Sequence, residues 1–191
     1  MSKISLILNI LLVIILTFVL TFLFMYTPTT IVDNINNNNA EEINETKLNI
    51  LLYEKLNDER SNVNLNRLDS REDIEQISKY KTGRMMHEDY ISHTTPDGED
   101  IRDRFDRFGV QCAIVGENLA KTFYDGPLST NYGDNINHQS MDELAEGITK
   151  QFMNSPEHKD NLLDENWESH GVNAQVTSEN EVYATHKFCK E

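Results

Sequence analysis

The chain has 191 residues and carries 32 acidic side chains against 17 lysines and arginines, a formal net charge of -15. This balance argues against a nucleic-acid-binding protein or a polybasic reader of membrane surfaces, because both need positive charge facing phosphate. A single long apolar segment excludes a multi-spanning transporter. The remaining length suits one domain of ordinary size.

The apolar segment covers residues 4–26, with 19 apolar residues among 23 and no charge. As a helix it would be about 34 Å long, enough to cross a hydrocarbon core of about 30 Å. A cleaved signal peptide is the alternative, but its apolar stretch would be shorter and a small-residue cleavage site would follow. We therefore predict an uncleaved transmembrane signal anchor. Lys3 is the only side-chain cation before it, so residues 1–3 are expected in the cytoplasm and the rest beyond the cell membrane.

Residues 27–45 follow the anchor and include a run of asparagines. The segment is polar and shows no periodicity, so it is predicted to be a flexible linker. The folded domain is expected over residues 46–191. Asn44 begins an Asn-Glu-Thr tripeptide, which matches the acceptor sequence for N-glycosylation.

The two cysteines, Cys112 and Cys189, both lie in the part predicted to be exported. An even number of cysteines outside the cytoplasm favours a disulfide, which would stabilise the fold by roughly 4 kcal/mol in the chain-entropy model. Two buried free thiols are the alternative. A cysteine zinc site is not expected, because neither residue has a second cysteine at the usual spacing.

Four helices are predicted from apolar residues that repeat every three or four positions behind a residue able to cap a helix. They begin at Thr46, at Asp69 or Ser70, at Glu99 and after Ser140. The third is expected to end just before Gly109, where a glycine suits a helix C-terminus.

Three strands are predicted at residues 112–115, 170–177 and 181–189, with a loop over 124–138. The last helix is expected to end or kink at Pro156. Helices flanking a small, mainly antiparallel sheet give an α+β fold, a three-layer α–β–α sandwich.

Six histidines are present, and none of them forms a metalloprotease motif. The sequence also contains no phosphate-loop and no nucleophile-elbow motif. His93 follows the second helix, His158 stands at the helix break, and Glu117 comes directly after the apolar strand at 112–115. Polar residues at the ends of elements can converge in a cleft.

Two neutral imidazoles with one or two carboxylates suit zinc or another divalent ion. The same residues without a metal could act as general acid and base. Alternatively, Glu117 accepts backbone hydrogen bonds and serves only the structure.

An ordered series of motifs resembles the CAP superfamily, the SCP-like extracellular domain of cysteine-rich secretory proteins, antigen 5 and pathogenesis-related 1 proteins, and especially its shorter prokaryotic branch. The series spans about residues 48–189. It comprises Tyr90-Ile91-Ser92-His93, Pro96-Asp97-Gly98, Arg104 with Gly109, Gly116-Glu117-Asn118-Leu119-Ala120, the stretch from Asn154 to Leu163, His170-Gly171-Val172, and the closing stretch from Tyr183 to Cys189.

The resemblance implies an α–β–α sandwich with a large cleft lined by two histidines and two acids. The histidines would be His93 and His158 and the first acid Glu117. No acid occupies the usual second position, and Glu157 is the nearest substitute. The chain also departs from the family pattern in having Phe152, Lys159 and His186 where Trp, Arg and Gln are usual.

Several functions are compatible with these residues. The first is a surface-displayed binding module whose cleft takes a divalent metal, zinc being one candidate, or a small ligand. The second is a hydrolase that uses His93, Glu117 and His158. A lipid- or sterol-binding domain and a structural envelope protein are further alternatives. Expected partners are the membrane, through the N-terminal helix, and a small ligand, lipid or cell-surface component, with no nucleic acid.

Overall fold

The structure is a computed structural model that describes residues 15, 17, 41–124 and 138–191. Contacts divide the chain into two units, Met1–Asn38 and Asn39–Glu191. The predicted anchor at 4–26 lies outside the described residues except for Ile15 and Thr17, which are helical. Most of the predicted linker and of the loop at 124–138 also lies outside them. None of the helices among the described residues combines the length and the apolar character that a membrane span requires.

The second unit contains five helices and four strands among its described residues. The helices are α1 (Glu45–Asn62), α2 (Glu72–Glu88), α3 (Ile101–Arg107), α4 (Met141–Asn154) and α5 (Pro156–Leu162). The strands are β1 (Asp69–Ser70), β2 (Ile114–Phe123), β3 (Ser169–Val176) and β4 (Glu181–Lys190). They form one sheet in the order β1-β3-β4-β2, in which only the short pair β1–β3 is parallel. The predicted α+β class with a small, mainly antiparallel sheet is confirmed.

The four predicted helices are present, with small differences at their ends. Asn44, rather than Thr46, caps α1 by accepting a hydrogen bond from the Lys47 backbone N–H, so the helix starts inside the predicted linker. Asn44 is exposed, and its glycosylation stays a prediction. Ser140 caps α4 as expected. Gly109 follows α3 with a φ of 69°, a left-handed conformation that glycine adopts without strain.

The strand predicted at 112–115 was placed too early, and Glu117 was wrongly placed after it. Strand β2 runs over Ile114–Phe123, so Glu117 lies inside it. Ile114 is exposed, whereas Glu117 and Asn118 are buried. The buried part of this strand mixes polar residues with Leu119 and Ala120, so an apolar run does not mark its position in the sequence.

Helices cover both faces of the sheet. Side chains alternate between these two faces along each strand. Ala174 and Phe188 point to the main core, which they share with α1, α4 and α5. Cys189 points the opposite way, into a second cluster with residues of α2 and α3. Cys112 and Cys189 form a disulfide there, as predicted.

Gly171 allows α2 to lie directly on β3. A Cβ atom at this position would stand 2.4 Å from the Glu75 backbone nitrogen, closer than atoms can approach. Ser78 and Thr82 of α2 then donate hydrogen bonds to the carbonyl oxygens of Gly171 and Asn173 at 2.8 and 3.1 Å. These contacts fix the helix that leads to His93.

Side chains of α1 satisfy the outer edge of β3 beyond the short β1. Asn49 accepts a hydrogen bond from the Ala174 backbone N–H at 2.6 Å and donates one to the Ala174 carbonyl at 3.3 Å. Glu45 accepts from the Val176 backbone N–H at 2.8 Å. These three backbone groups of the edge strand are therefore bonded without a neighbouring strand.

Two buried histidines lie on the main-core face of the sheet. His170 Nδ1 and His186 Nε2 are 2.7 Å apart and share a hydrogen bond. Burial, together with the nearby Arg60 and Arg67, lowers the pKa of His170 to about 3. Burial and the neighbouring His170 lower the pKa of His186 as well. Both rings are therefore neutral at pH 7.

This pair is expected to make the protein less stable as the pH falls below about 6.5. In that range the unfolded histidines bind protons while the folded ones do not, so the free energy of unfolding falls by about 1.4 kcal/mol per pH unit for each histidine. Urea unfolding between pH 7.5 and 5, above the carboxylate range, measures this slope. His186→Gln should reduce the slope, whereas His87→Gln on the exposed surface of α2 should not. An unchanged slope in His186→Gln would contradict the assignment.

Candidate functional site

The candidate site lies along the edge strand β2, which directs neighbouring side chains to opposite faces. Glu117 pairs in register with Lys187 of β4, and Asn118 pairs with His186. Glu117 therefore faces the α2–α3 layer and Asn118 the opposite one. Both anchor a histidine that approaches this edge.

Glu117 is held by three side chains. Its carboxylate bonds the Lys187 ammonium and lies 3.2 Å, at both oxygens, from the Arg104 guanidinium. Its Oε1 is also 2.9 Å from His93 Nδ1. The Glu117 side chain is 2% exposed, and those of Lys187 and Arg104 are fully buried. This is a buried ion-pair network rather than a free carboxylate.

The network keeps Glu117 ionised. Burial by itself raises the pKa of the carboxyl, but Lys187, His93 and Arg104 outweigh it and lower the pKa to about 2. A carboxylate with so low a pKa is a weak base at neutral pH, because catalytic bases work best with a pKa near the operating pH. Glu117 is thus unsuited to the proton transfer that the hydrolase hypothesis requires.

His93 presents one ring nitrogen to solvent, and Glu117 orients it. An ionised carboxylate only accepts hydrogen bonds, so the His93 Nδ1 carries the proton in this contact and Nε2 is left as the ligand atom. Arg104 donates to the His93 carbonyl oxygen at 2.8 Å and so fixes the backbone as well. The His93 side chain is 59% exposed. A carboxylate bonded to the far nitrogen of an exposed histidine is the usual support of a metal-binding imidazole.

His158 reaches the same edge from α5. Asn118 Nδ2 donates to the His158 carbonyl oxygen at 2.8 Å, and Asn161 Nδ2 donates to the Glu117 carbonyl at 3.2 Å. Gly116 permits this close packing, since a Cβ there would lie 2.8 Å from both Asn161 Oδ1 and the Trp167 ring. The Gly-Glu-Asn motif thus joins β2 to α5.

The two histidines are electrostatic neighbours. Burial, and then the charge of a protonated His93, lower the pKa of His158. Its ring packs edge-on against Phe152 at 5.5 Å. Its Nδ1 is buried without a hydrogen-bond partner among the described residues. The structure therefore places His93 in contact with Glu117 and His158 within electrostatic reach of His93.

The second acid of the predicted cleft is not brought into this group. Glu157 is exposed on α5 and interacts with His158 only through its charge. His186 lies on the opposite face of the sheet, bonded to His170. Among residues 41–124 and 138–191, no three histidine, cysteine or acidic side chains are grouped so as to hold a metal ion. The candidate metal donors at this edge of the sheet are therefore the imidazoles of His93 and His158.

Sequence reasoning missed the cations that surround Glu117. Lys187 and Lys81 are fully buried, like Arg104. Lys187 could have been noticed, because it precedes Phe188 and Cys189 in the closing strand, where a lysine has little surface to reach. Arg104 belongs to the series of motifs that resembles the CAP superfamily, but nothing in the spacing of Lys81 distinguishes it from the charged residues exposed on α2.

Comparison with known proteins agrees with this architecture. The family model described as cysteine-rich secretory protein family, CAP, matches residues 53–189. No curated protein is significantly similar in sequence to the chain.

Three solved bacterial structures share the fold. An outer surface protein from Borrelia burgdorferi is 19% identical over 80% of this chain and 98% of its own, with a TM-score of 0.63. An extracellular protein containing a SCP domain from Bacillus anthracis is 23% identical over 77% of this chain, with a TM-score of 0.59. A cysteine-rich secretory protein from Staphylococcus aureus is 19% identical over 79%, with a TM-score of 0.55. The chain spans about two fifths of the lengths of the last two, 41% and 40%. By the family match over most of its length, the chain belongs to the cysteine-rich secretory protein (CAP) family.

Proposed function

We propose that this protein is an extracytoplasmic binding module, held at the cell membrane by residues 4–26, whose cleft takes a divalent metal ion or a small ligand between His93 and His158. The observation that carries the proposal is the contact between Glu117 and His93 Nδ1 at 2.9 Å. It makes Glu117 an orienting group and leaves the other imidazole nitrogen as the binding atom.

The membrane anchor has a separate test. If washing membranes at alkaline pH released the full-length chain, the anchor would be refuted.

The same contact favours binding over hydrolysis. The hydrolase hypothesis needs Glu117 as a base or as the ligand of a water-activating metal. Both oxygens of its carboxylate are already bonded to cations, and its pKa of about 2 leaves it little tendency to accept a proton. The side-chain hydroxyls next to His93 in sequence are those of Ser92 and Thr94. Ser92 accepts a hydrogen bond from the Thr94 backbone N–H, and neither hydroxyl is bonded to a general base among the described residues.

Zinc is the most informative metal to test, because it accepts imidazole ligands and completes its coordination with water. Two protein ligands bind more weakly than the four of a structural zinc site, and the cations around Glu117 add repulsion. We therefore expect one zinc ion bound at micromolar rather than nanomolar affinity.

Isothermal titration of the full-length protein in mild detergent tests this expectation. His93→Ala and His158→Ala should each weaken zinc binding by roughly tenfold or more, since each removes one of two ligands. His87→Ala is the matched control, because His87 is an exposed histidine of α2 outside the cleft. Equal zinc binding by the wild type and the His93→Ala/His158→Ala double variant would refute the metal proposal. Loss of binding in His87→Ala would show that zinc binds elsewhere.

A further inference from the structure

Behind the cleft, the interior holds more positive than negative charge. Lys81, Arg104 and Lys187 are all fully buried. Glu117 is the carboxylate that contacts two of them. The nearby Glu99 is paired with Arg107 at 2.6 Å. Three buried cations thus face two buried carboxylates, Glu117 and Glu99, and the second is shared with Arg107. An excess of buried positive charge remains, and burying an uncompensated ion costs several kcal/mol.

Part of the hydrogen-bonding capacity of Lys81 and Arg104 is unused. Tyr90 Oη, 3.2 Å from Lys81 Nζ, is the one acceptor within reach of this ammonium among the described residues. Its three donors therefore have a single partner. Arg104 Nε is buried without any partner in the described part of the chain. Native proteins rarely leave buried donors unpaired, and a bound water or ion commonly satisfies such groups.

The two lysines interact with the same neighbours. Burial, followed by the adjacent Arg104, lowers the pKa of Lys81 to about 8. Burial also lowers the pKa of Lys187 to about 8, although Glu117 opposes the shift. Both ammonium groups are therefore still mostly charged at pH 7, and the charge excess is present under ordinary conditions.

We propose that this cluster of Lys81, Arg104 and Lys187 is a binding site for a small inorganic monovalent anion such as chloride. The anion would accept hydrogen bonds from the unpaired ammonium and guanidinium donors and offset part of the charge excess. Half-buried Tyr90, whose ring lies 4.6 Å from Lys81 Nζ, covers the lysine and would shield the anion. The anion would bind ammonium and guanidinium donors rather than the two imidazoles that the zinc titration examines, although Arg104 and Lys187 also contact Glu117, which bonds His93.

The melting temperature of the full-length protein measures the proposed binding when chloride replaces gluconate at constant ionic strength. Binding to the folded state alone raises the melting temperature along a saturating curve, by on the order of 3–5 °C at ten times the dissociation constant. Lys81→Met keeps the aliphatic volume but removes the charge, and it should abolish most of this rise. In gluconate, the same variant should be more stable than the wild type because an uncompensated buried charge is gone.

Lys79→Met is the matched control, since Lys79 is an exposed lysine on the same helix, and it should respond to chloride as the wild type does. Bromide soaked into crystals of the wild type gives a second readout that needs no variant, an anomalous peak beside Lys81 Nζ. An equal chloride response in the wild type and Lys81→Met, or the lack of a bromide peak, would overturn the proposal. A gain in stability of Lys81→Met that is the same in both salts would show that water, not an anion, fills the site.

Discussion

Glu117→Gln is expected to destabilise the protein by about 3–5 kcal/mol, because removing one member of a buried ion pair leaves the others uncompensated. Lys187 and Arg104 are fully buried and would lose their carboxylate together. His93 would lose the group that orients its ring. Urea unfolding at pH 7 measures the loss of stability, and zinc titration of the protein that remains folded measures the effect on the cleft.

A second substitution distinguishes the loss of charge balance from a local packing effect. Adding Lys187→Met to Glu117→Gln removes one uncompensated cation and should recover on the order of 1–3 kcal/mol. Glu157→Gln is the matched control, because Glu157 is exposed, and it should change stability by less than about 0.5 kcal/mol. If the double variant were less stable than Glu117→Gln alone, uncompensated charge could not be the cause of the loss.

Removing the disulfide between Cys112 and Cys189 is expected to cost a similar amount. The bridge joins residues 77 positions apart, and closing a loop of this size restricts the unfolded chain enough to contribute roughly 4 kcal/mol in the chain-entropy model. It also ties the start of β2 to the end of β4, the two strands that carry Glu117 and Lys187. For a chain of this size we expect the melting temperature to fall by about 8–16 °C.

Differential scanning calorimetry with and without a strong reductant measures this effect. The Cys112→Ala/Cys189→Ala variant should melt at the lower temperature in both conditions, so any further effect of the reductant on it would reveal an unrelated cause. A wild type that melts at the same temperature after verified reduction would contradict the stabilising role of the bridge.

The helices and the closing hairpin could be predicted because their signals are local. The capping serine before α4 and the glycine after α3 act within a few residues, and both stand where the sequence predicts them. Alternation over residues 181–189 likewise identified β4. Such features depend on the immediate neighbours of a residue rather than on the tertiary fold.

Strand β2 could not be predicted correctly, since its burial depends on partners distant in sequence. Glu117 is 13 residues from Arg104 and 70 from Lys187. In the sequence alone, a glutamate after a short apolar run indicates the end of a strand, because the two cations that allow its burial are not evident. The family resemblance identified Glu117 as a cleft residue, but only the structure reveals that its charge is already used by the interior.

The outer edge of the sheet has a consequence for how copies of the protein behave together. An exposed edge strand can pair with the same strand of a second molecule and begin aggregation. The side-chain amide of Asn49 occupies both backbone groups of Ala174, and Glu45 occupies the next backbone donor along the strand. An asparagine and a glutamate of one helix thus substitute for the missing strand. At high protein concentration, the backbone of Ala174 is therefore not available to pair with a strand of a second molecule.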